Sequence, residues 1–276
     1  MTTKLTTTRH ILGLAAATVL AACAAPPATA PAPSRTAAAA ELATTGTLRA
    51  AINFGNPILA SRAPDGAPRG VSADLANEAG RRLGVPVELV QFNSAGNVVE
   101  AVKAGRVDLA FVAIDPVRAA DMEYTAPYVI IEGAYLVRQG SPLRSNAEVD
   151  RSGTRVAVGR GSAYDLFLTR ELKAATILRA PTSPEVTDFF LAQNLDVAAG
   201  VKQQLEADAR RVGGVRLLPG RFMVIEQAMG VPKGRRAAQD WLSSFIEEMK
   251  SSGFVAAALQ RHGIEGAAVA PPRATQ

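Results

Sequence analysis

The stretch at residues 107–137, VDLAFVAIDPVRAADMEYTAPYVIIEGAYLV, limits the possible folds more than any other part of the chain. Its first apolar run, residues 109–114, is too short for a buried helix and is typical of a strand covered on both faces. The run ends at Asp115-Pro116, where the proline favours a turn. Arg118 follows directly, at the edge of an open α/β sheet where ligands bind. The stretch therefore predicts a buried strand that leads into a polar site.

Strand and helix patterns alternate on both sides of this stretch. Upstream, strands predicted at residues 48–54 and 85–92 alternate with helices that we expect to begin at Ser72 and Ser94. Downstream the pattern restarts, with strands predicted at residues 155–159, 175–178, 195–201 and 215–218. This order predicts parallel strands with helices on both faces of the sheet.

Two similar apolar runs, residues 129–137 and 222–231, each contain a single acid after an isoleucine, Glu132 and Glu226. We interpret them as the two chain crossings between two α/β lobes. Helices predicted at residues 237–249 and 254–262 then end the chain. The predicted fold class is therefore α/β with two lobes, two hinge strands and a cleft that closes by hinge motion.

The N-terminus has the features of an export signal at residues 1–22. Lys4 and Arg9 precede an apolar segment about half as long as a membrane-spanning helix needs. Leu20-Ala21-Ala22-Cys23 then resembles a lipobox, and Cys23 is the one cysteine of the chain. Cys23 is either lipidated or part of an alanine-rich signal that is cleaved later. Residues 23–43 are rich in proline and alanine, and we expect them to form a tether without packed structure.

Composition excludes several classes of function. Removal of the predicted signal takes away Lys4 and Arg9 and no acid, so the net charge falls from +5 to +3, which is no nucleic-acid footprint. The remaining chain has one histidine, His262, so it lacks the residues for a Ser-His-Asp or Cys-His site and for a zinc or copper site. Gly159-Arg160-Gly161 begins like a dinucleotide fingerprint, but Tyr164 occupies its third glycine position. We therefore expect no cofactor and no metal.

Five short motifs follow one another in the order typical of one bacterial family: Gly46-Thr47-Leu48-Arg49-Ala50-Ala51, Gly70-Val71-Ser72-Ala73-Asp74-Leu75-Ala76, Gly105-Arg106-Val107-Asp108, Asp115-Pro116-Val117-Arg118 and Tyr124-Thr125-Ala126-Pro127-Tyr128. Together they resemble the extracellular solute-binding proteins of family 3, which deliver polar amino acids to ABC transporters. The resemblance implies a periplasmic-binding-protein-like fold of type II. Lobe 1 is then expected at residues 44–134 and 226–266, lobe 2 at residues 135–225, and a loose tail at residues 267–276.

The resemblance also implies a ligand site. Arg118 aligns with the family arginine that binds a ligand carboxylate, a contact that a guanidinium makes with two hydrogen bonds. Alternatively, Arg118 forms a surface ion pair with Asp115 or Asp121. Gly161 and Ser162 lie at a predicted helix N-terminus, which attracts anions or is an ordinary cap, and the two roles are compatible. The predicted ligand-binding residues are Asn53, Phe54, Asn56, Ala113, Asp115, Arg118, Glu132, Arg160, Gly161, Ser162, Val201, Lys202 and Glu226.

The predicted pocket departs from the family pattern at several positions. The segment before Arg118 is shorter, which places Val112-Ala113-Ile114 at the pocket wall. Asn56, with Phe54 nearby, stands where the family has an aromatic residue. Val201, followed by Lys202, occupies the position of the acid that binds the α-ammonium group of the ligand. The usual amino-acid pocket is therefore incomplete.

Glu132 and Glu226 are candidates for the missing acid, because a carboxylate in an apolar strand is costly unless it is paired. One hypothesis is that they face the cleft and bind a cationic group opposite Arg118. The other is that they pair with a hinge arginine such as Arg138 or Arg221.

The resemblance predicts an exported, lipid-anchored, periplasmic and monomeric protein that captures a small polar solute, zwitterionic or carboxylate, for an ABC transporter permease. No catalytic residue is predicted. Two alternatives remain: an enzyme on the same fold, similar to cyclohexadienyl or arogenate dehydratases, in which Glu132 or Glu226 donates a proton, and a ligand-sensing or scaffolding lipoprotein without a transporter.

Overall fold

The computed structural model describes residues 1–3 and 34–273. The predicted signal segment beyond residue 3, Cys23 and the first part of the predicted tether lie outside the described residues. Residues 34–273 belong to one compact unit. None of the helices in the described part of the chain has the length and apolar character that a membrane span requires.

Helices and strands alternate through residues 34–273. The helices are α1 (Arg35–Leu42), α2 (Val71–Leu83), α3 (Ala95–Lys103), α4 (Ala163–Glu171), α5 (Val186–Ala192), α6 (Lys202–Val212), α7 (Arg236–Ser251) and α8 (Phe254–Arg261). The strands are β1 (Leu48–Asn53), β2 (Ser61–Arg62), β3 (Pro68–Arg69), β4 (Val87–Phe92), β5 (Leu109–Ala113), β6 (Met122–Tyr124), β7 (Val129–Arg138), β8 (Arg155–Gly159), β9 (Thr176–Ala180), β10 (Val197–Val201), β11 (Val215–Leu217), β12 (Met223–Pro232) and β13 (Ala268–Val269). The prediction of an alternating α/β fold is confirmed.

The main sheet has the order β4-β1-β5-β12-β7-β10-β8-β9, and its two halves repeat one topology. In the first half β1 pairs in parallel with β4 and β5, and β5 pairs antiparallel with β12. In the second half β8 pairs in parallel with β9 and β10, and β10 pairs antiparallel with β7. We call the first half, with α1–α3, α7 and α8, lobe 1, and the second half, with α4–α6, lobe 2.

The long strands β7 and β12 join the lobes. They pair antiparallel from Met223↔Gly133 to Gln227↔Val129. Beyond that seam β12 continues along β5 and β7 continues along β10, so each strand belongs to both lobes. The residue at which one lobe gives way to the other within these strands stays a prediction.

Apolar side chains cover both faces of each half-sheet. Every residue of β5 and of β10 is buried, as expected for strands between two helical layers. One face of lobe 1 packs against α1, α2, α7 and α8, and the other against α3. In α7, Ala238, Leu242, Phe245, Ile246 and Met249 repeat at helical spacing and are all buried. The C-terminal helices therefore return to lobe 1.

Each lobe fixes its central strands with an aspartate that bonds to an arginine at the start of the first strand. Asp108, before β5, accepts from Arg49 N at 3.3 Å and Arg49 Nε at 2.8 Å, and its own N–H donates to Arg49 O. Asp196, before β10, accepts from Arg155 N at 2.8 Å and Arg155 Nε at 3.1 Å, and its N–H donates to Arg155 O. Asp108 is fully buried and also accepts from Arg235 at 2.8 Å, whereas the Asp196 side chain is 42% exposed.

Two segments predicted to lack packed structure are ordered parts of the fold. The tether predicted at residues 23–43 ends in α1, in which Ser34 caps the helix and Ala38 and Leu42 are buried against lobe 1. The tail predicted as loose from residue 267 adds β13 to the edge of β7, and Ala270 is buried. Over residues 35–42 and 268–270 the two predictions were wrong, because composition alone does not reveal the few apolar side chains that pack against another surface.

One predicted helix cap is also wrong. Ser72 lies inside α2 and is buried, and the helix begins after Gly70, whose φ is +121°. A Cβ at Gly70 would lie 2.4 Å from Leu59 O, so the chain passes too close there for any larger residue. The caps predicted at Ser94 and Ser162 are confirmed, because each hydroxyl accepts from the backbone N–H three residues on.

Candidate functional site

The carboxyl ends of the parallel strands of both lobes meet at one cleft. β1 ends at Asn53 and β5 at Ala113 in lobe 1, and β8 ends at Gly159 and β10 at Val201 in lobe 2. The side chains around this meeting point line a small cavity of about 30 Å³. The two lobes are in contact beside it, because Arg118 of lobe 1 donates to Gly161 O of lobe 2 and Asp115 of lobe 1 pairs with Arg170 of lobe 2. The lining residues are Asn53, Gly55, Asn56, Ala95, Ala113, Arg118, Ser162, Ala163, Tyr164, Ser183, Val201, Ile225 and Gln227.

Among these lining residues Arg118 has the one charged side chain, and it lies between the lobes. It follows β5 in a short 3-10 turn and is only 2% exposed. Its Nη1 donates to Ala113 O of lobe 1 at 2.9 Å, and its Nη2 donates to Gly161 O of lobe 2 at 2.8 Å. Its Nε has no hydrogen-bond partner among the described residues. Burial lowers the pKa of Arg118, although Tyr124 and Asp115 act in the opposite direction.

A surface ion pair, the alternative role for Arg118, is wrong. Asp115 is 4% exposed and accepts from Arg170 Nη2 at 2.9 Å and from Val117 N at 2.8 Å. Asp121 pairs with Lys103 at 3.3 Å. Arg118 is thus a buried guanidinium bonded to two carbonyl groups, and carbonyl groups do not neutralise its charge.

Two contacts close the cleft around Arg118. The ion pair between Asp115 of lobe 1 and Arg170 of α4 joins the lobes. Nearby, the backbones of Gly96 and Gly161 approach so closely that a Cβ on Gly161 would lie 3.0 Å from the Cα of Gly96. Gly161 also has φ +69°, which favours glycine. The closed arrangement therefore depends on glycine at position 161.

The N-terminus of α4 is satisfied by its own segment. Ser162 Oγ accepts from Asp165 N at 3.0 Å, and Gly161 N donates to Asp165 Oδ2 at 2.8 Å. The carbonyl of Gly161 is held by Arg118. The ordinary cap at Gly161 and Ser162 is therefore confirmed, and because Ser162 still lines the cavity, anion binding there stays a prediction.

Glu132 forms a structural ion cluster and does not line the cavity. Its carboxylate accepts from Arg221 Nη1 at 2.7 Å and from Lys202 Nζ at 3.2 Å. These hydrogen bonds, that from Arg221 foremost, lower the pKa of Glu132. The hypothesis that Glu132 pairs with a hinge arginine is therefore the correct one, and the same contact explains why Lys202 lies outside the cavity lining.

Glu226, Arg160 and Phe54 also lie outside the cavity lining. Glu226 is exposed, because successive side chains of a strand alternate and its neighbours Ile225 and Gln227 face the cavity instead. Arg160 is exposed. The ring of Phe54 packs under the guanidinium of Arg62, 4.0 Å from its centroid. The hypothesis that Glu226 faces the cleft is wrong for this closed arrangement.

Sequence reasoning missed part of the lining. The missed residues are Gly55, Ala95, Ala163, Tyr164, Ser183, Ile225 and Gln227. Strand alternation around Glu226 was a signal for Ile225 and Gln227, because the residues on either side of an outward-facing acid point inward. Tyr164 is 2% exposed, and burial raises its pKa to about 12, so its hydroxyl is neutral at pH 7.

The polar side chains of the lining include an acceptor that has no hydrogen-bond partner in the described part of the chain. Asn53 Oδ1 accepts from Gly55 N at 2.9 Å. Asn56 is 8% exposed, and its Oδ1 has no hydrogen-bond partner among the described residues. The cavity therefore presents an uncompensated cation, a buried acceptor and neutral amide and hydroxyl groups. Within residues 1–3 and 34–273, which the structure describes, no group of three or more His, Cys, Asp or Glu side chains is arranged to hold a metal ion.

A larger cavity, about 840 Å³, lies at the opposite end of lobe 2, near the start of β8 and β10. Its arginines already have protein partners: Arg138 donates to the carbonyls of Leu195 and Leu191, and Arg155 pairs with Asp196. This cavity lies at the amino ends of the parallel strands β8 and β10, whereas ligands of open α/β sheets bind at the carboxyl ends, so we place the candidate site between the lobes.

Comparison with known proteins agrees with this geometry. A sequence model of the bacterial extracellular solute-binding proteins, family 3, matches residues 48–265. The chain belongs to this family. The family resemblance read from the five motifs is therefore confirmed. No curated protein matches the chain in sequence.

Solved structures of family-like proteins share the two-lobed fold. A solute receptor for L-cysteine of Neisseria gonorrhoeae is 24% identical, with a TM-score of 0.72 over 84% of this chain and 94% of that chain. A mutant of ArgBP from T. maritima is 19% identical, with a TM-score of 0.71 over 83% of this chain and 100% of that chain. The ancestral amino acid-binding protein AncCDT-1, a precursor of cyclohexadienyl dehydratase, is 20% identical, with a TM-score of 0.68 over 80% of this chain and 97% of that chain.

Proposed function

We propose that this solute-binding protein captures a small polar solute that carries a carboxylate and passes it to the permease of an ABC importer. The observation that carries the proposal is Arg118, a guanidinium that is 2% exposed, has no carboxylate partner among the described residues and lies between the lobes. Membership of the family and the similarity to amino-acid-binding proteins also support it.

A carboxylate ligand suits the position of Arg118 for a physical reason. A buried charge is costly unless an opposite charge and good hydrogen bonds offset the lost hydration. In the closed arrangement Arg118 Nη2 is bonded only to Gly161 O and its Nε has no described partner. A carboxylate that accepted from both nitrogen atoms would replace a neutral acceptor with a bidentate ion pair. Its binding energy would then favour closure of the lobes around the ligand.

Thermal unfolding of the full chain against amino acids, opines, organic acids and polyamines tests the proposal. A ligand that binds only the folded state stabilises it by about 2.7 kcal/mol at a hundredfold excess over Kd, so a cognate solute raises the midpoint. We expect Arg118→Gln to abolish that rise. Arg160→Gln removes a neighbouring but exposed arginine and should leave it unchanged. A rise that survives Arg118→Gln would contradict the proposed role of the guanidinium.

Transport and location need their own experiments. We propose that the chain is exported to the periplasm, lipidated at Cys23, and acts as a monomer. Cys23→Ser should release the protein from the membrane fraction, and its retention there would contradict lipidation. Deletion of the gene should abolish uptake of the cognate solute. Unchanged uptake would favour the sensing or scaffolding alternative.

The cleft gives little support to the dehydratase alternative. The described residues that line the cavity include neither a carboxylate nor a histidine to donate a proton, and Glu132 and Glu226 lie outside it. Incubation with prephenate and arogenate is the direct check, and we expect no product.

A further inference from the structure

We infer that the cleft selects small monocarboxylates whose second polar group is neutral, a hydroxyl or an amide N–H, over zwitterionic α-amino acids. This inference rests on the proposed function and specifies its ligand class. It follows from the charges around Arg118 and from the acceptor on Asn56.

The carboxylates near the cleft are paired with basic side chains. Asp115 pairs with Arg170 at 2.9 Å, and Asp165 pairs with Arg179 at 3.0 Å. Glu132 pairs with both Arg221 and Lys202. Each of these acids thus already forms an ion pair with a basic side chain. The lining itself contains one charged side chain, and it is positive.

A ligand ammonium group would have no counter-charge among the described residues that line this cleft. A carboxylate ligand neutralises Arg118, but an ammonium group on the same ligand brings a second positive charge into a buried space. Without a counter-charge the ammonium loses its hydration and gains little in return. The wall at the end of β10 is the apolar side chain of Val201, 6% exposed, and the next residue is the basic Lys202. A zwitterion is therefore disfavoured where a singly charged anion is not.

Asn56 provides the remaining acceptor of the cleft. Its Oδ1 is buried and has no hydrogen-bond partner among the described residues, and a buried acceptor is costly while it stays unpaired. One O–H or amide N–H of a ligand satisfies it. An ammonium group would place one of its N–H bonds there, but the neutral oxygen does not balance its charge. A 2-hydroxy acid or an N-acyl amino acid carries both a carboxylate for the guanidinium and a neutral donor for the amide oxygen.

Matched trios of ligands test this inference on the full chain by titration calorimetry. Each trio holds one side chain constant and compares the L-amino acid, its 2-hydroxy acid and its N-acetyl derivative, for alanine, serine, leucine and glutamine. In at least one trio we expect the hydroxy or acetyl member to bind at least about tenfold more tightly than the amino acid, which corresponds to 1.4 kcal/mol.

Val201→Asp places an acid beside the cavity and should shift the preference within that trio at least about tenfold towards the amino acid. Position 201 precedes the first residue of α6, where aspartate is well tolerated. Val224→Asp adds the same charge at a 40% exposed position of β12 and should leave the preference unchanged. Val201→Asn, which adds no charge, separates the effect of charge from that of shape, and unfolding without ligand shows whether each variant folds.

The results distinguish this inference from the proposed function. An amino acid that binds as tightly as its hydroxy and acetyl partners, or more tightly, overturns the inference and leaves solute capture standing. An unchanged preference in a folded Val201→Asp variant overturns it as well. If no member of any trio binds, the inference is overturned as well. Solute capture itself is then decided by the wider panel that includes opines and polyamines.

Discussion

Asp108 and Asp196 hold equivalent strands in the two lobes, yet their surroundings differ. Asp108 is fully buried between Arg49 and Arg235. Burial by itself raises the pKa of Asp108, but the hydrogen bonds from the two arginines outweigh that effect and the pKa falls below its ordinary value. The Asp196 side chain is 42% exposed and pairs with Arg155.

This difference predicts unequal effects of the same substitution. Asp108→Asn leaves two guanidinium groups without their buried counter-charge, so we expect it to lower the free energy of unfolding by about 3–5 kcal/mol. Asp196→Asn removes an exposed ion pair and should cost less than about 1 kcal/mol. Urea unfolding at pH 7 measures both, and equal losses would contradict the role of burial.

Glu132 predicts a dependence of stability on pH. Its pKa is lowered in the folded protein by the hydrogen bonds from Arg221 and Lys202, and the unfolded value is about 4.3. The cluster therefore stabilises the fold above that unfolded value and loses its contribution as the pH falls through the lower folded value. Because the partners are 55% and 39% exposed, the contribution should be less than about 1 kcal/mol.

The comparison of wild type with Glu132→Gln isolates this contribution. The difference in unfolding free energy between them should be present at pH 7 and shrink at pH 3, while Glu226→Gln, at an exposed site, should show no such change. Because Glu132 lies outside the cavity lining, we expect both variants to keep the ligand affinity of the wild type. A large loss of affinity in Glu132→Gln would show that Glu132 does contribute to ligand binding.

Among the elements, α1 adds an unexpected layer to lobe 1. Its Glu41 accepts from Ala238 N at 2.8 Å and its backbone carbonyl from Arg235 at 2.9 Å, so the helix is bonded to the N-terminus of α7. Leu42 is fully buried in the lobe 1 core. The segment before the first strand is therefore part of the folded domain.

Leu42→Ala should lower the free energy of unfolding by about 2–5 kcal/mol, because it leaves a cavity in a packed core. Thr36→Ala changes an exposed residue of the same helix and should have little effect. Thermal or urea unfolding of the two variants makes the comparison. A similarly small effect of both would mean that α1 does not dock on the domain in solution.

Strands and caps were predictable at this scale because their signals are local. The buried runs of β5 and β10 and the caps at Ser94 and Ser162 need only neighbouring residues. The ordering of α1 and β13 depends on partners far away in the chain, which a pattern of alanine and proline does not reveal. The site was predictable at Arg118 but not at Gln227, because charge is visible in a sequence and the facing of a strand residue depends on register.

For the whole molecule, the close approach of Gly96 and Gly161 predicts how closure responds to substitution. Gly161→Ala adds a methyl group 3.0 Å from the Gly96 backbone at a residue with φ +69°, so it should disfavour the closed arrangement and raise the share of open molecules. Gly153→Ala imposes a similar backbone strain at φ +86° but meets no atom within 4 Å. It is the matched control.

Small-angle X-ray scattering of the two variants measures the separation of the lobes. We expect a larger radius of gyration for Gly161→Ala than for the wild type, and none of this increase for Gly153→Ala. An unchanged radius for Gly161→Ala, in a variant that unfolds cooperatively, would show that this contact does not limit closure.

The division of the sheet between two lobes also sets an order for folding. The two cores of lobe 2 draw their buried residues from Ala134 to Leu218, a continuous piece of chain. The main core of lobe 1 joins Ala38 of α1 to Leu259 of α8. Contacts between such distant residues form slowly, because the long loop between them must close first. We therefore expect lobe 2 to fold before α7 and α8 complete the core of lobe 1, and the ligand cleft to form only after that C-terminal segment has packed.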